Sequence, residues 1–144
     1  MKKIICIIPA RKNSKRLVGK NSKNFFGKPL LFWTLNFANK LKFVDKVILS
    51  SDCNEILRTA KPFKKIIRHL RAKKLARDKT VMWDVVKNIL DKIKSKKNIN
   101  GIILLQPTTP YRDLKKFNEY LKKFRKKTDN FYSVSTKHKN NHKC

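Results

Sequence analysis

Hydrophobic and polar positions along the chain fall into two alternating kinds of block: short continuous apolar runs, and longer stretches in which apolar residues recur at helical spacing. Residues 3–8 (KIICII) are apolar and β-branched without alternation, which predicts a strand buried on both faces, as in a parallel sheet. Pro9 ends the run. Residues 29–41 (PLLFWTLNFANKL) put Leu30, Leu31, Trp33, Thr34, Phe37, Ala38 and Leu41 on one helical face, with Pro29 suited to a first turn. A second buried strand is predicted at residues 46–50 (KVILS), a short helix at 55–60 and a weaker strand at Ile66-Ile67. Val81, Met82, Val85, Val86, Ile89, Leu90 and Ile93 follow a 3.6-residue period and predict a helix over residues 80–94. Residues 101–105 (GIILL) form the third clear strand. A basic amphipathic helix over 113–126 turns Leu114, Phe117, Leu121 and Phe124 inward, and residues 131–135 (FYSVS) begin one more strand.

Strands alternating with helices of crossover length define an α/β class: three layers, with a mostly parallel sheet between flanking helices. In such sheets ligands gather beyond the carboxyl ends of the strands. Polar residues cluster at those points here, after Ile8, Leu49 and Leu105. A chain of 144 residues fits one domain, read as a core over residues 1–136 followed by a basic tail, 137–144, without packed structure.

Charge complicates this picture. Lys and Arg number 38 against 9 Asp and Glu, a net +29 that attracts polyanions, so nucleic acid is the first partner to weigh. The cations are nevertheless spread from Lys2 to Lys143, and most are Lys, whereas recognition of base edges and phosphates favours the planar fork of Arg. Abundant Lys, Asn and Ile with 3 Gly and 5 Pro is also what AT-rich coding produces. A solvated basic surface is favoured, and a nucleic-acid-binding module stays open as the alternative. Cys6, Cys53 and Cys144 make an odd set with no close pair, which suits a reducing compartment. No apolar run reaches membrane-span length, and the N-terminal run is too short for an export signal, so the expected location is cytoplasmic with no membrane partner.

Several single residues have plain readings. Trp33 and Trp83 lie on apolar helical faces and are expected in the core. His69, between Arg68 and Arg71, is expected to be a neutral surface imidazole. Asp52 and Asp78 are explained by capping and turn formation, and neither is assigned to a metal. His138, His142 and Cys144 lack a fourth ligand and a rigid frame.

The loop after the first strand is different in kind. Arg11, Lys12, Lys15, Arg16 and Lys20 crowd into ten positions between a buried strand and a helix, where strand ends and helix N-termini already favour anions. A triphosphate would relieve their mutual repulsion, with Arg11 as a planar fork and Lys20 as a mobile point charge. Neither GxxxxGK[ST] nor GxGxxG occurs, so the loop is not one of the common glycine-rich phosphate cradles.

The stretch IIPARKNSKRLVGKNSKNFFGKPLLFWTL closely resembles the N-terminal signature of the CMP-sialic acid synthetases, or acylneuraminate cytidylyltransferases, usually IPARxGSKRLPGKNxxxxxGKPLxxWT. Asn13 stands where Gly is common in that signature, and Val18 where Pro is common. Later pieces follow in the family's order: VILSSD resembles a V-I-x-S-T-D strand end, LARDKT an L-A-x-D-x-T loop, and LLQPTTPYR an L-L-Q-P-T-S-P-L-R segment. The resemblance covers residues 3–136.

It implies a nucleotide-diphospho-sugar transferase (Rossmann-like) fold, and transfer of CMP from CTP to an N-acylneuraminate with release of diphosphate, assisted by Mg²⁺. By the same resemblance, Arg11 and Lys20 meet the phosphates as catalytic cations, and Asn21 also contacts the nucleotide. Ser14, Lys15 and Arg16 share that loop, while Arg71, Asp78 and Thr80 line the nucleotide pocket. Gln106, Thr108 and Arg112 lie where the family meets the sugar acid. Family members are homodimers that run past this point, so the dimerisation segment and the metal carboxylates are expected beyond Cys144, and the chain is expected to be truncated. Pseudaminic or legionaminic acid fits the same residues. The related 3-deoxy-octulosonate enzymes carry a QGDEP-like motif where this chain has LLQPTTP.

Overall fold

The computed structural model describes residues 3–13, 19–93 and 99–126. Four parallel strands form the main sheet in the order β5-β4-β1-β6: β1 (Lys3–Pro9), β4 (Lys46–Ser51), β5 (Ile66–Leu70) and β6 (Ile99–Leu104). The helices are α1 (Leu30–Asn39), α2 (Asn54–Arg58), α3 (Met82–Lys92) and α4 (Leu114–Lys126). A two-stranded hairpin, β2 (Asn24–Phe25) with β3 (Lys28–Pro29), precedes α1. The expected α/β class with a parallel sheet and flanking helices is what forms. Residues 131–135, expected to begin a further strand, and the tail 137–144 lie outside the described residues.

Why β1 tolerates so continuous an apolar run is visible in its two faces. Ile4, Cys6 and Ile8 pack with Leu31, Leu35 and Ala38 of α1, Ile56 and Leu57 of α2, and Leu121 of α4. Ile5 and Ile7 join Ile48 of β4 against Val85, Val86 and Ile89 of α3. Every second residue therefore serves the opposite layer, and no position on the strand is left for a polar side chain. The buried Cys6 thiol is pushed up to about 12, mainly by its removal from water, so it is an inert packing group. Cys6 and Cys53 are both free and buried.

The chain builds outward from β1 through β4 to β5, then α3 carries it back across the sheet to β6 on β1's other side. The order of strands thus reverses between β1 and β6, which leaves a crevice at their carboxyl ends. Residues 10–13 and 105–108 flank it.

Some elements depart from expectation. β5 extends to Leu70, longer than the two apolar residues that announce it, because an edge strand needs only one covered face. Trp83 is exposed rather than in the core, since α3 turns Val85, Val86 and Ile89 to the sheet and leaves Trp83 on the far side. Trp33 is half-buried, and its Nε1 donates to the Phe25 carbonyl at 2.7 Å, tying the hairpin to α1. The hairpin turn, Phe26-Gly27, has positive φ at both residues (49° and 76°). That is the backbone of a type I′ turn, which Gly27 accepts freely and Phe26 adopts under strain.

At the far end of the sheet Asp45 pins three segments. Its Oδ2 accepts from Ile4 N at 2.7 Å, and both carboxylate oxygens accept from Arg125 at the end of α4. Partial burial opposes ionisation, but these donors outweigh it and hold the carboxyl below its ordinary 3.8. The contribution is present above pH 4 and disappears as pH falls through the lowered folded value. Asp45→Asn should therefore lower stability by about 1–2 kcal/mol at neutral pH. Below that lowered folded value the variant and the parent should converge in urea midpoint. A gap that persists at low pH would contradict this.

Gly101 has a separate role in the same region. A Cβ there would stand 2.5 Å from a ring carbon of Phe124, so only glycine lets α4 lie this close to β6. Gly101→Ala is expected to cost about 1–3 kcal/mol through overpacking, measured by urea denaturation. An unchanged midpoint would show that Phe124 gives way freely.

Candidate functional site

The loop after β1 is held by contacts from four directions. Ala10 N donates to Ser50 O of β4 at 2.9 Å, continuing the parallel register one residue past the strand. Lys12 N donates to Asp52 Oδ1 at 2.9 Å. Arg11 Nη1 donates to Asp78 Oδ1 at 2.7 Å across 67 residues of sequence, and Asn21 Nδ2 donates to the Arg11 carbonyl at 3.1 Å. Asp52 and Asp78, expected from the sequence to serve as cap and turn residues, instead reach across to the first loop. They bring negative charge to a cationic loop that would otherwise repel itself. The Arg11–Asp78 pair is about a third exposed on each side, so it contributes little to overall stability and can exchange partners.

Asn21 sits in a single 3-10 turn (Lys20–Ser22) that follows Gly19, whose φ of 67° requires a residue without Cβ strain. The turn packs against α1 and buries Asn21, leaving its Oδ1 with no hydrogen-bond partner. A buried amide oxygen without a donor is costly in an isolated chain. Lys20 is half-buried beside it. Ser14, Lys15 and Arg16 lie outside the described residues.

Arg71 follows β5 and is only 5% exposed. Its Nη2 donates to Ser50 O at 3.0 Å and its Nε to Ser50 Oγ at 3.2 Å, while its backbone N donates to Ser51 O. Burial disfavours its charge most, Asp52 supports that charge, and Arg11 opposes it, so Arg11 and Arg71 are close enough to feel each other. His69 is not the surface imidazole expected. Half-buried, it places Nδ1 3.1 Å from Ser50 Oγ. Burial is the main cause that lowers its pKa, aided by Lys92 and Arg71 and opposed by Asn88.

Across the crevice, Leu105 N donates to Ile7 O and carries the pairing past β6 into Gln106 and Thr108, both exposed. Arg112 turns into the protein. It donates to Thr34 Oγ1 at 3.1 Å and to the Gln106 carbonyl, and lies over the Phe37 ring. It thus fixes the backbone of the Gln106 segment to α1. Thr80 is half-buried and closes its own loop, with Oγ1 donating to Lys74 O. A cleft of about 650 Å³ opens beside the first loop, lined by Lys12, Asn13, Asp52, Arg58, Lys73 and Arg77 among others; it does not border Gln106, Thr108 or Arg112. The sequence-predicted residues Arg11, Asn21, Arg71 and Asp78 come together around the carboxyl ends of β1, β4 and β5, with Gln106 and Thr108 on the β6 side.

Sequence reasoning missed Ser50, Ser51 and the linking role of Asp52. The signal was present in VILSSD, where two serines continue a strand buried on both faces, at positions where an unpaired hydroxyl would be costly.

The profile of the cytidylyltransferase family matches residues 5–144, and the chain belongs to that family. It is 32% identical over 135 residues to the pseudaminic acid cytidylyltransferase of Campylobacter jejuni, covering 93% of this chain and 58% of that protein. It is 32% identical over 114 residues to the CMP-N,N'-diacetyllegionaminic acid synthase of Legionella pneumophila, covering 76% and 48% respectively. The N-acylneuraminate cytidylyltransferase of Escherichia coli is 36% identical over 111 residues, 77% of this chain and 26% of that protein. The chain thus spans from about a quarter to under two thirds of the length of these relatives. Among solved structures, a CMP:2-keto-3-deoxy-manno-octonic acid synthetase complexed with CTP superposes with a TM-score of 0.66 at 23% identity, over 86% of this chain and 48% of that one. A cytidylyltransferase from Leptospira borgpetersenii gives 0.66 at 24% identity, over 87% and 50%. These two likenesses bear on the fold.

The Asp52 contact can be tested by itself. Asp52→Ala should cost about 1 kcal/mol and speed hydrogen exchange at the Lys12 amide roughly tenfold. Unchanged protection of that amide would mean that the loop is held by its other contacts alone.

Proposed function

We propose that this chain carries the nucleotide-binding part of a cytidylyltransferase that joins CMP from CTP to a nine-carbon 2-keto sugar acid of the nonulosonic class. The observation that carries the reading is the pairing of a buried cation, Arg71, held by the neutral oxygens of Ser50, with a second cation, Arg11, on the adjoining loop. Two guanidinium groups that disfavour each other at a sheet's carboxyl edge are stabilised together by a polyphosphate. Arg11 exchanges Asp78 for phosphate oxygens, Lys20 adds a mobile charge, and Ser14 and Lys15 belong to the same loop. Asn21 Oδ1, buried and unpartnered, accepts from a hydroxyl of the ribose or the amino group of the base. Asp78 and Thr80 border the nucleotide from the other side.

In the reaction the sugar's anomeric hydroxyl attacks the α-phosphorus, the new P–O bond forms, and the bond to the diphosphate breaks. The chain's part is to hold nucleophile and leaving group in line and to neutralise departing charge, a role for Arg11 and Lys20. Gln106 is suited to the sugar acid, since its amide donates to a carboxylate and accepts from a hydroxyl. Thr108 adds a hydroxyl there, and Arg112 holds the segment in place through the Gln106 carbonyl. The relatives' names favour a pseudaminic, legionaminic or sialic acid substrate over an octulosonate. A cytoplasmic enzyme acting as a homodimer is part of the same reading.

Magnesium, which the resemblance implies, finds no seat in what is described. No three His, Cys, Asp or Glu side chains converge among the described residues, Asp52 is engaged by Lys12 N, and Asp78 by Arg11. No described helix is long and apolar enough to cross a membrane.

Thermal shift with CTP, UTP and a short DNA duplex at moderate salt separates the readings. Selective stabilisation by CTP is expected, lost in Arg11→Ala and kept in Lys12→Ala, with Gln106→Ala sparing CTP binding. Indifference to CTP with tight, salt-sensitive duplex binding would favour a basic nucleic-acid-binding module instead.

A further inference from the structure

We infer that His69 is a positioning residue for Arg71, acting through the hydroxyl of Ser50. The inference rests on the reading that Arg71 faces the nucleotide, and it concerns how that guanidinium is held. Arg71 Nε has only a proton to give, so Ser50 Oγ must accept from it at 3.2 Å. The hydroxyl's single proton is then free for one acceptor, and His69 Nδ1 lies 3.1 Å away. That assigns His69 the neutral tautomer with its proton on Nε2. Nε2 is buried, and on the facing helix the Asn88 side chain interacts with the imidazole and offers an acceptor in its buried Oδ1, which suits a proton on that side of the ring.

All three residues are at the carboxyl ends of neighbouring strands. Ser50 is fully buried, and its carbonyl takes a second bond from Arg71 Nη2 while also accepting from Ala10 N of the first loop. One residue therefore joins the loop bearing Arg11 to the guanidinium of Arg71, and the imidazole decides which way its hydroxyl points. Protonating His69 would turn Nδ1 into a donor. Ser50 Oγ would then receive two donors, its own proton would lose its acceptor, and a new positive charge would face Arg71 on the same strand side and Lys92 of α3. Burial and those two cations already disfavour the charged imidazole and lower its pKa.

Charge and positioning predict opposite signs. If His69 acted only as a nearby charge, its protonation would tighten binding of an anion. If it positions Arg71, its protonation loosens binding. His69→Asn keeps an acceptor near the Nδ1 position and does not titrate, while His69→Leu removes it. CTP affinity measured by calorimetry should fall about tenfold in His69→Leu and within threefold of the parent in His69→Asn. As pH falls from 7.5 through the lowered folded value of His69, the ratio of parent to His69→Asn affinity should fall; protonation of the γ-phosphate is common to both and cancels. A ratio that is flat or rises would overturn the inference.

A second readout needs no nucleotide. In a ¹⁵N-labelled chain the Arg71 Nε–H resonance should be protected from exchange in the parent and in His69→Asn, and exposed in His69→Leu. Equal protection in all three would overturn the inference even if CTP binds. If instead Arg71→Ala leaves CTP affinity unchanged while the resonance behaves as described, the positioning stands and the nucleotide reading fails.

Discussion

The arrangement depends on one constraint: a strand buried on both faces delivers a strongly cationic loop to the open end of the sheet. β1 can carry no polar side chain between Ile4 and Ile8, because its odd and even positions serve different helical layers. The loop that follows then has to be fixed from outside itself. Ser50 and Asp52 from the neighbouring strand end, Asp78 from the loop after β5, and Asn21 from the 3-10 turn all do so. None of these contacts is strong alone, and the Arg11–Asp78 pair is the one most easily exchanged.

The consequence is a site made rigid below and replaceable above. Under the loop, Arg71 is buried and bonded to Ser50; over it, Arg11 is about a third exposed and paired with a carboxylate that a phosphate can displace. On the other side of the crevice Arg112 has the opposite function from Arg11, since it faces inward and fastens the Gln106 segment to Thr34 of α1. Two arginines of similar sequence setting thus differ because one is packed over Phe37 and the other lies at the rim.

Much of the fold was legible in the sequence because its strands are so uniformly apolar. KIICII, KVILS and GIILL could pair only as buried parallel strands, and the α3 and α4 periodicities name the faces that pack. The β2–β3 hairpin was not legible, since Phe26-Gly27 lacks the usual Asn-Gly signal and two-residue strands carry no period. Trp83 misled because its spacing matches neighbours that do pack. Of the site, the residues on the first loop were legible from charge crowding and family resemblance together. The linkage of Ser50, His69 and Arg71 was not, because it is a tertiary contact between two strands whose sequences show only polar interruptions. The lysines of α4 that contribute to the net charge of +29 point outward, away from the helix stripe that Leu114, Phe117, Leu121 and Phe124 pack against the core.

The most direct test of the central claim is a map of backbone amide shifts as CTP is titrated into the ¹⁵N-labelled chain. If the loop after β1 is held in readiness for a polyphosphate, the largest shifts fall on Arg11, Lys12, Asn21, Arg71 and Asp78, with smaller ones at Gln106. Shifts spread over the exposed lysines of α4, with the first loop unmoved, would mean that this charge is diffuse and that the loop holds no nucleotide.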